Sequence, residues 1–181
     1  MTEIEVKILD INPEDIRKKL LDAGAKRTFH GELIAKVFDF PDLRMKNADG
    51  HLRLRKIGDK TELTYKEAVK SEKFKKRIET EVIVSDFDTA EKILRKIGLR
   101  ETRSYRKTRE SYQLGNISFD IDIYPEETGI PPLVEIESTE EGIKEGVKLL
   151  GFQTKDTTTV SGWKLLDIYK DKIGRNALEG D

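Results

Sequence analysis

Charged and aliphatic residues alternate at the start of the chain, in Glu3-Ile4-Glu5-Val6-Lys7. The pattern returns at Arg53-Leu54-Arg55, Glu79-Thr80-Glu81-Val82, Lys107-Thr108-Arg109, Asp120-Ile121-Asp122 and Glu135-Ile136-Glu137. Side chains on a strand point to opposite faces with period two, so each stretch reads as a strand with one charged face and one face of different character. A single half-buried strand with its polar face in water would look the same. Recurrence argues for more, because acids gather on some strands and bases on others instead of mixing with Thr, Ser and Gln. A sheet closed on itself lets opposite signs face each other across a lumen, and closure removes the vulnerable edges. Unpaired buried charge costs several kcal/mol, so such a lumen must hold water, ions or a polyanion.

The order of elements follows from local signals. Asn12-Pro13-Glu14-Asp15 reads as a capped helix start with acids in the first turn, and the helix runs to about Ala23 with Ile16, Leu20 and Ala23 inward. Residues 25–40 read as extended, and Pro41-Asp42-Leu43 breaks them. Asn47-Ala48-Asp49-Gly50 reads as a turn into the Arg53–Arg55 strand, and Gly58-Asp59 as a hairpin that puts Glu62, Thr64 and Lys66 on one face. Lys73 to Arg77 is a basic run, with Arg77 sharing the parity of Glu79 and Glu81. Asp86 caps a helix with Ala90, Ile93, Leu94 and Ile97 at helical spacing. Strands at about 99–114 and 117–124 join at Gly115-Asn116, and Leu133–Ser138 leads into a helix from Thr139 to Leu150. Ser161 caps a short closing helix with Trp163, Leu165, Leu166 and Ile168. Three times an acidic strand precedes a helix stopped by glycine, at Gly24, Gly98 and Gly151, which suggests one unit reused. The expected organisation is a single domain over residues 1–172 with a frayed tail at 173–181.

Thirty-four basic residues against thirty-five acidic ones leave a net charge of −1, which argues against a general polyanion binder and leaves any anion site to local segregation. The absence of cysteine excludes disulfides, zinc-thiolate sites and cysteine nucleophiles. With no signal peptide and no long apolar run, the expectation is a cytoplasmic protein with no membrane partner. Lys and Glu dominate the 38% of charged residues, a balance found in thermophile proteins. His30 stands alone and is not assigned to a site.

Clustered carboxylates repel one another unless a hard cation or cationic neighbours neutralise them, and Mg2+ or Mn2+ is the natural occupant. Lys7, Arg53, Arg55, Lys66, Lys107 and Arg109 offer donors suited to phosphate oxygens. Acids for metal and bases for phosphate are the parts needed for phosphoryl or nucleotidyl transfer, with no nucleophilic side chain required.

Read together, these motifs are familiar. Glu3-x-Glu5-x-Lys7, His51-Leu-Arg53-Leu-Arg55, Leu63-Thr-Tyr-Lys66, Glu79-x-Glu81, Lys107-x-Arg109, Phe119-Asp120-Ile-Asp122 and Val134-Glu135-Ile-Glu137 resemble, in family order, those of the CYTH superfamily. These are the class IV adenylate cyclases, thiamine triphosphatases and related triphosphate tunnel metalloenzymes. The resemblance spans about residues 1–166 and implies an α+β fold, a closed eight-stranded antiparallel β-barrel with helices packed outside. It places Lys7, Arg53, Arg55, Lys66, Lys107 and Arg109 on the triphosphate. It places Glu3, Glu5, Glu79, Glu81, Asp122, Glu135 and Glu137 on metal or its water. Asp120 shares the parity of Asp122, so either could match the family aspartate. Glu5, Lys7, Lys66, Lys107 and Arg109 are the catalytic candidates. Where the family often shows Lys-Ser-Tyr, this chain reads Val160-Ser161-Gly162-Trp163.

The implied activity is metal-dependent chemistry on a triphosphate, and layout favours the class IV cyclase branch, converting ATP to cyclic AMP and pyrophosphate. Hydrolysis of thiamine triphosphate or inorganic tripolyphosphate is the alternative. A non-catalytic polyphosphate or nucleotide binder would need the bases but not the acidic pairs. An RNA-binding barrel would need exposed aromatics interleaved with the bases, so no nucleic-acid partner is expected. A homodimer is left open.

Overall fold

The computed structural model describes residues 4–69 and 76–178. Glu3 and Lys73 to Lys75 therefore lie outside the described residues. The elements are β1 (Ile4–Leu9), α1 (Pro13–Asp22), β2 (Lys26–Asp39), α2 (Arg44–Asn47), β3 (His51–Ile57), β4 (Lys60–Val69), β5 (Lys76–Val84), α3 (Phe87–Lys96), β6 (Arg100–Leu114), β7 (Ile117–Ile123), β8 (Leu133–Ser138), α4 (Glu140–Leu149) and α5 (Gly162–Leu178). The eight strands form one antiparallel sheet in the order β1-β8-β7-β6-β2-β3-β4-β5. β1 and β5 stand at its two ends. At Lys7 the other edge of β1 is taken by Thr158, with reciprocal backbone bonds of 2.8 Å.

The helices begin where their caps dictate. Asn12 accepts the amides of Glu14 and Asp15 at 2.9 and 3.3 Å, and Asp86 accepts that of Thr89 at 2.8 Å, so otherwise orphaned donors are satisfied. Gly98, at φ +95°, ends α3 in a conformation that a residue with a Cβ resists. α2 precedes the expected turn, which follows at Ala48-Asp49: the buried carboxylate of Asp39 accepts the amides of Met45 at 3.1 Å and Lys46 at 2.9 Å, nucleating one helical turn beyond Pro41. α5, capped by Ser161 through the Lys164 amide at 3.3 Å, continues past Lys172 to Leu178. No helix among the described residues is long and apolar enough to cross a membrane.

The chain divides into two compact units, residues 1–31 with 107–181 and residues 32–106. In the first, the aliphatic face of β1, β7 and β8 (Val6, Ile8, Phe119, Ile121, Val134, Ile136) packs on α1 and α4 through Ile16, Leu20, Ile143 and Val147. α4 comes close because it is glycine on that side: a Cβ at Gly146 would meet Ile136 and Phe119 at 3.1 Å. In the second unit, Phe38, Leu54, Phe87, Leu94 and Leu99 form the core, with α3 supplying Phe87 and Leu94. Each fully buried aliphatic or aromatic side chain contributes about 1.5–3 kcal/mol, and truncating Phe119 to alanine would cost about 3–5 kcal/mol. Because α1 and α4 take the apolar face of β1, β7 and β8, the charged residues of those strands are left on the opposite face.

Candidate active site

Each unit carries its own share of the expected residues. In the first unit, register brings the charges into rows. Lys7 lies opposite Glu135 and Glu135 opposite Asp120, Arg109 lies opposite Asp122, and Glu5 lies opposite Glu137. The side chains then join. The Lys7 ammonium, 3% exposed, bonds Glu5 and stands 3.4 Å from Glu135. Asp122, fully buried, accepts Arg109 Nε at 2.7 Å and Nη2 at 2.6 Å and also bonds Lys107. Arg109 further donates to Glu135 at 2.6 Å and to Asp120, and Lys107 lies 5.4 Å from the centre of the Tyr124 ring. Both Asp120 and Asp122 hold Arg109.

The electrostatics follow from this crowding. Burial would lift the Glu135 carboxyl, but Lys107, Arg109 and Lys7 outweigh it and hold it at about 2. Burial likewise opposes the charge on Lys7 and Arg109, yet Glu135 with Glu5 for the one, and Glu135 with Asp122 and Asp120 for the other, raise both above their ordinary values. Asp120 goes the other way, burial pushing its carboxyl up against the pull of Arg109.

In the second unit, Arg55 lies opposite Glu62, Arg53 opposite Thr64, and Lys66 opposite both His51 and Glu79. Arg55 donates to Glu62 at 3.0 and 2.5 Å, Lys66 to Glu79 at 2.5 Å and Thr64 to Glu81 at 3.0 Å. Arg53 differs. Its buried Nε has no hydrogen-bond partner among the described residues. Burial and then Arg55 lower its guanidinium, against Tyr105, Glu79 and Glu62, while burial and Arg53 lower the Lys66 ammonium against Glu79. A buried N–H without an acceptor costs about 1–3 kcal/mol, and an anionic oxygen would satisfy it.

Glu62 is the residue the sequence reading left out of the site. It is 4% exposed and held by Arg55 and by Lys60, the latter at 2.7 Å. The signal was available, because a hairpin turning at Gly58-Asp59 pairs Ile57 with Lys60 and therefore Arg55 with Glu62.

For a metal, the acids divide. Asp122 and Glu135 are bonded to bases, and no group of three or more carboxylates or histidines is gathered as a metal centre among the described residues. Glu5 and Glu137 are exposed and face each other across the β1–β8 ladder, with Glu5 also bonded to Lys7. Like charges so placed are destabilising unless a cation joins them. Mg2+ is usually held by one or two carboxylates, with water and substrate phosphate completing its shell, so this donor pair fits a hard divalent cation.

A model of the CYTH domain matches residues 1–154. Among solved structures, the PH1012 protein of Pyrococcus horikoshii OT3 is 28% identical with a TM-score of 0.71, covering 91% of this chain and 99% of its own. A proposed adenylate cyclase from Vibrio parahaemolyticus is 15% identical with a TM-score of 0.76, over 91% of this chain and 97% of its own. A proposed adenylyl cyclase from Hippeastrum, described as having a dominant triphosphatase activity, is 17% identical with a TM-score of 0.62, over 92% and 95%. These last two likenesses are of fold. No curated protein matches the chain.

Proposed function

The chain belongs to the CYTH domain family, and from that premise we propose that it is a divalent-metal-dependent enzyme acting on a triphosphate, an adenylate cyclase of the class IV kind. We propose further that residues 1–172 act as one domain whose eight strands close into a tunnel. The observation that carries the reading is Arg53, whose buried Nε lacks an acceptor among the described residues while Arg55 and Lys66 extend the same face. Such a face binds anionic oxygen, and three cations match a chain of phosphates better than a single one.

In this reading Arg53 takes the phosphate chain first, because its Nε has no other acceptor among the described residues, while Arg55 and Lys66 give up part of their bonding to Glu62 and Glu79. Lys7, Lys107 and Arg109 exchange part of their carboxylate bonding for phosphate oxygens. Glu5 and Glu137, with Glu3, Glu79, Glu81, Asp122 and Glu135 as the wider acidic set, would hold Mg2+ or Mn2+, which supplies charge neutralisation at the phosphate. Cyclisation requires the ribose 3′ oxygen to be aimed at the α-phosphorus as pyrophosphate leaves. Hydrolysis of thiamine triphosphate or tripolyphosphate instead requires water aimed at the terminal phosphate, and it stands as the alternative on the description of the Hippeastrum protein. The test is incubation of purified protein and Mg2+ or Mn2+ with ATP, thiamine triphosphate and tripolyphosphate, with products identified. Cyclic AMP and pyrophosphate are expected from ATP; orthophosphate alone would move the assignment to triphosphatase, and no product from any of them would overturn it.

A further inference from the structure

Along the charged face of the first unit, β6 presents Lys107, Arg109, Ser111 and then Gln113, and β7 presents Asp122, Asp120 and then Ser118. Charge therefore gives way to a hydroxyl and an amide towards the β6–β7 hairpin, and Ser118 lies opposite Glu137, itself opposite Glu5. The amide of Gln113 is held at both ends. Its Nε2 donates to the Gly115 carbonyl at 3.1 Å, and its Oε1 accepts from Ser118 Oγ at 2.9 Å. A carbonyl can only accept, so Gly115 fixes which end of the amide is nitrogen. The hairpin that carries it is fastened by Ser138, whose hydroxyl donates to the Asn116 carbonyl at 2.9 Å.

A glutamine amide has two N–H donors and two acceptor lone pairs. With one of each used to orient it, Gln113 retains one donor and one acceptor on the same rigid plane. That pair complements an adjacent acceptor and donor, the pattern that adenine presents at N7 and N6. Resting on the triphosphate reading above, we propose that Gln113, oriented by Ser118 and Gly115, is a specificity-determining residue that reads the nucleobase of a nucleoside triphosphate, adenine being the base that fits. Arg109 and Gln113 are two double steps apart on β6, about 13 Å at about 3.3 Å per residue, which leaves room for a ribose between phosphate and base. Inorganic tripolyphosphate has nothing to offer this amide, so Gln113 separates the nucleotide reading from the inorganic one.

The test measures binding of ATP, purine riboside triphosphate (which lacks the N6 amine) and tripolyphosphate, each with Mg2+, to the wild type, Gln113→Leu and Ser118→Ala. Wild type should prefer ATP over the N6-less analogue by about tenfold, the scale of one lost partner in a bidentate contact. Gln113→Leu should erase that preference while tripolyphosphate affinity stays as in the wild type, and Ser118→Ala should reduce it part way. Equal binding of ATP and the analogue by wild type, or an undiminished preference in Gln113→Leu, overturns the proposal and leaves the triphosphate reading intact. A change in melting temperature alone would make the Gln113–Ser118 pair a hairpin clasp and also overturn it. Failure of all three ligands to bind the wild type would remove the triphosphate reading and this proposal with it.

Discussion

Two charged faces built from the same residue types end in opposite states. In the first unit each of Lys7, Lys107 and Arg109 meets at least one carboxylate, and Arg109 meets Asp120, Asp122 and Glu135 together. In the second, Arg55 and Lys66 each have a carboxylate, but Arg53 Nε has no acceptor among the described residues, and the Arg53 and Lys66 cations are disfavoured by their surroundings. Composition does not separate these cases; cross-strand register does. A base opposite an acid starts out bonded to it, as Arg55 is to Glu62 and Lys66 to Glu79, whereas Arg53, opposite Thr64, keeps its Nε for a ligand.

The largest expected effect breaks this contrast directly. Arg109→Met leaves the buried Asp122 and the part-buried Asp120 and Glu135 without their shared cation, and removing one partner of a buried pair costs about 3–5 kcal/mol. For a chain of this size that lowers Tm by about 6–20 °C. Arg53→Met removes a guanidinium that is not fully satisfied, so its Tm should hold or rise. Its triphosphate affinity should fall by a factor of about 10 to 100 for each charge-assisted bond lost, about 1.5–3 kcal/mol apiece. Calorimetric melting and titration of the two variants side by side would show the pattern, and equal losses of Tm would erase the distinction.

Much of this was legible in the sequence. The period-two alternation of Ile136 between Glu135 and Glu137 gave the faces, and Asn12, Asp86 and the glycines gave the helix ends, because those signals are local. Arg55 and Glu62 were legible too, through the turn between them. Arg109 was legible only in part: the turn at Gly115-Asn116 pairs it with Asp122, but Asp120 is reached diagonally and Glu135 lies two strands away, a meeting that only the assembled ladder sets. α2 escaped for a similar reason: the carboxylate that holds its amides, Asp39, lies on the far side of the Pro41-Asp42-Leu43 break.

Glu5→Gln and Glu137→Gln should have the next largest effect, loss of turnover with the fold retained. Each relieves a like-charge pair across β1 and β8, which for Glu5→Gln is set against a weakened bond to Lys7, so Tm should change little, and excess Mn2+ should restore part of the activity. A collapse of Tm without rescue would make these acids structural and erase the difference between them and Glu135. Glu135 itself sharpens the comparison through acid titration. Its carboxyl is held at about 2 against an ordinary value of 4.5, so its contribution to stability is present above the ordinary value and is lost as pH falls towards 2. Glu135→Gln should flatten that part of the stability curve, and an unchanged acid limb would show that the Lys7, Lys107 and Arg109 cluster does not act as a unit.

The smallest effect belongs to Lys66, where the sign runs the other way. Burial and Arg53 lower its ammonium below the ordinary 10.5, so the unfolded chain binds its proton more tightly than the folded one. Stability from this group is therefore gained as pH rises through the folded value towards 10.5. A triphosphate landing beside Arg53 brings negative charge that favours the ammonium, so binding must raise its pKa and take up a proton. Affinity should then fall as pH rises through the free-state value, by at most tenfold per unit, since one proton is linked to one binding event. Isothermal titration in two buffers of different ionisation heat would detect the uptake, and Lys66→Met should remove it while leaving weaker binding in place. Proton uptake that persists in Lys66→Met would assign the linkage to another group. Uptake that vanishes in Arg109→Met but survives in Lys66→Met would move the ligand-responsive cation to the first unit and reverse the comparison.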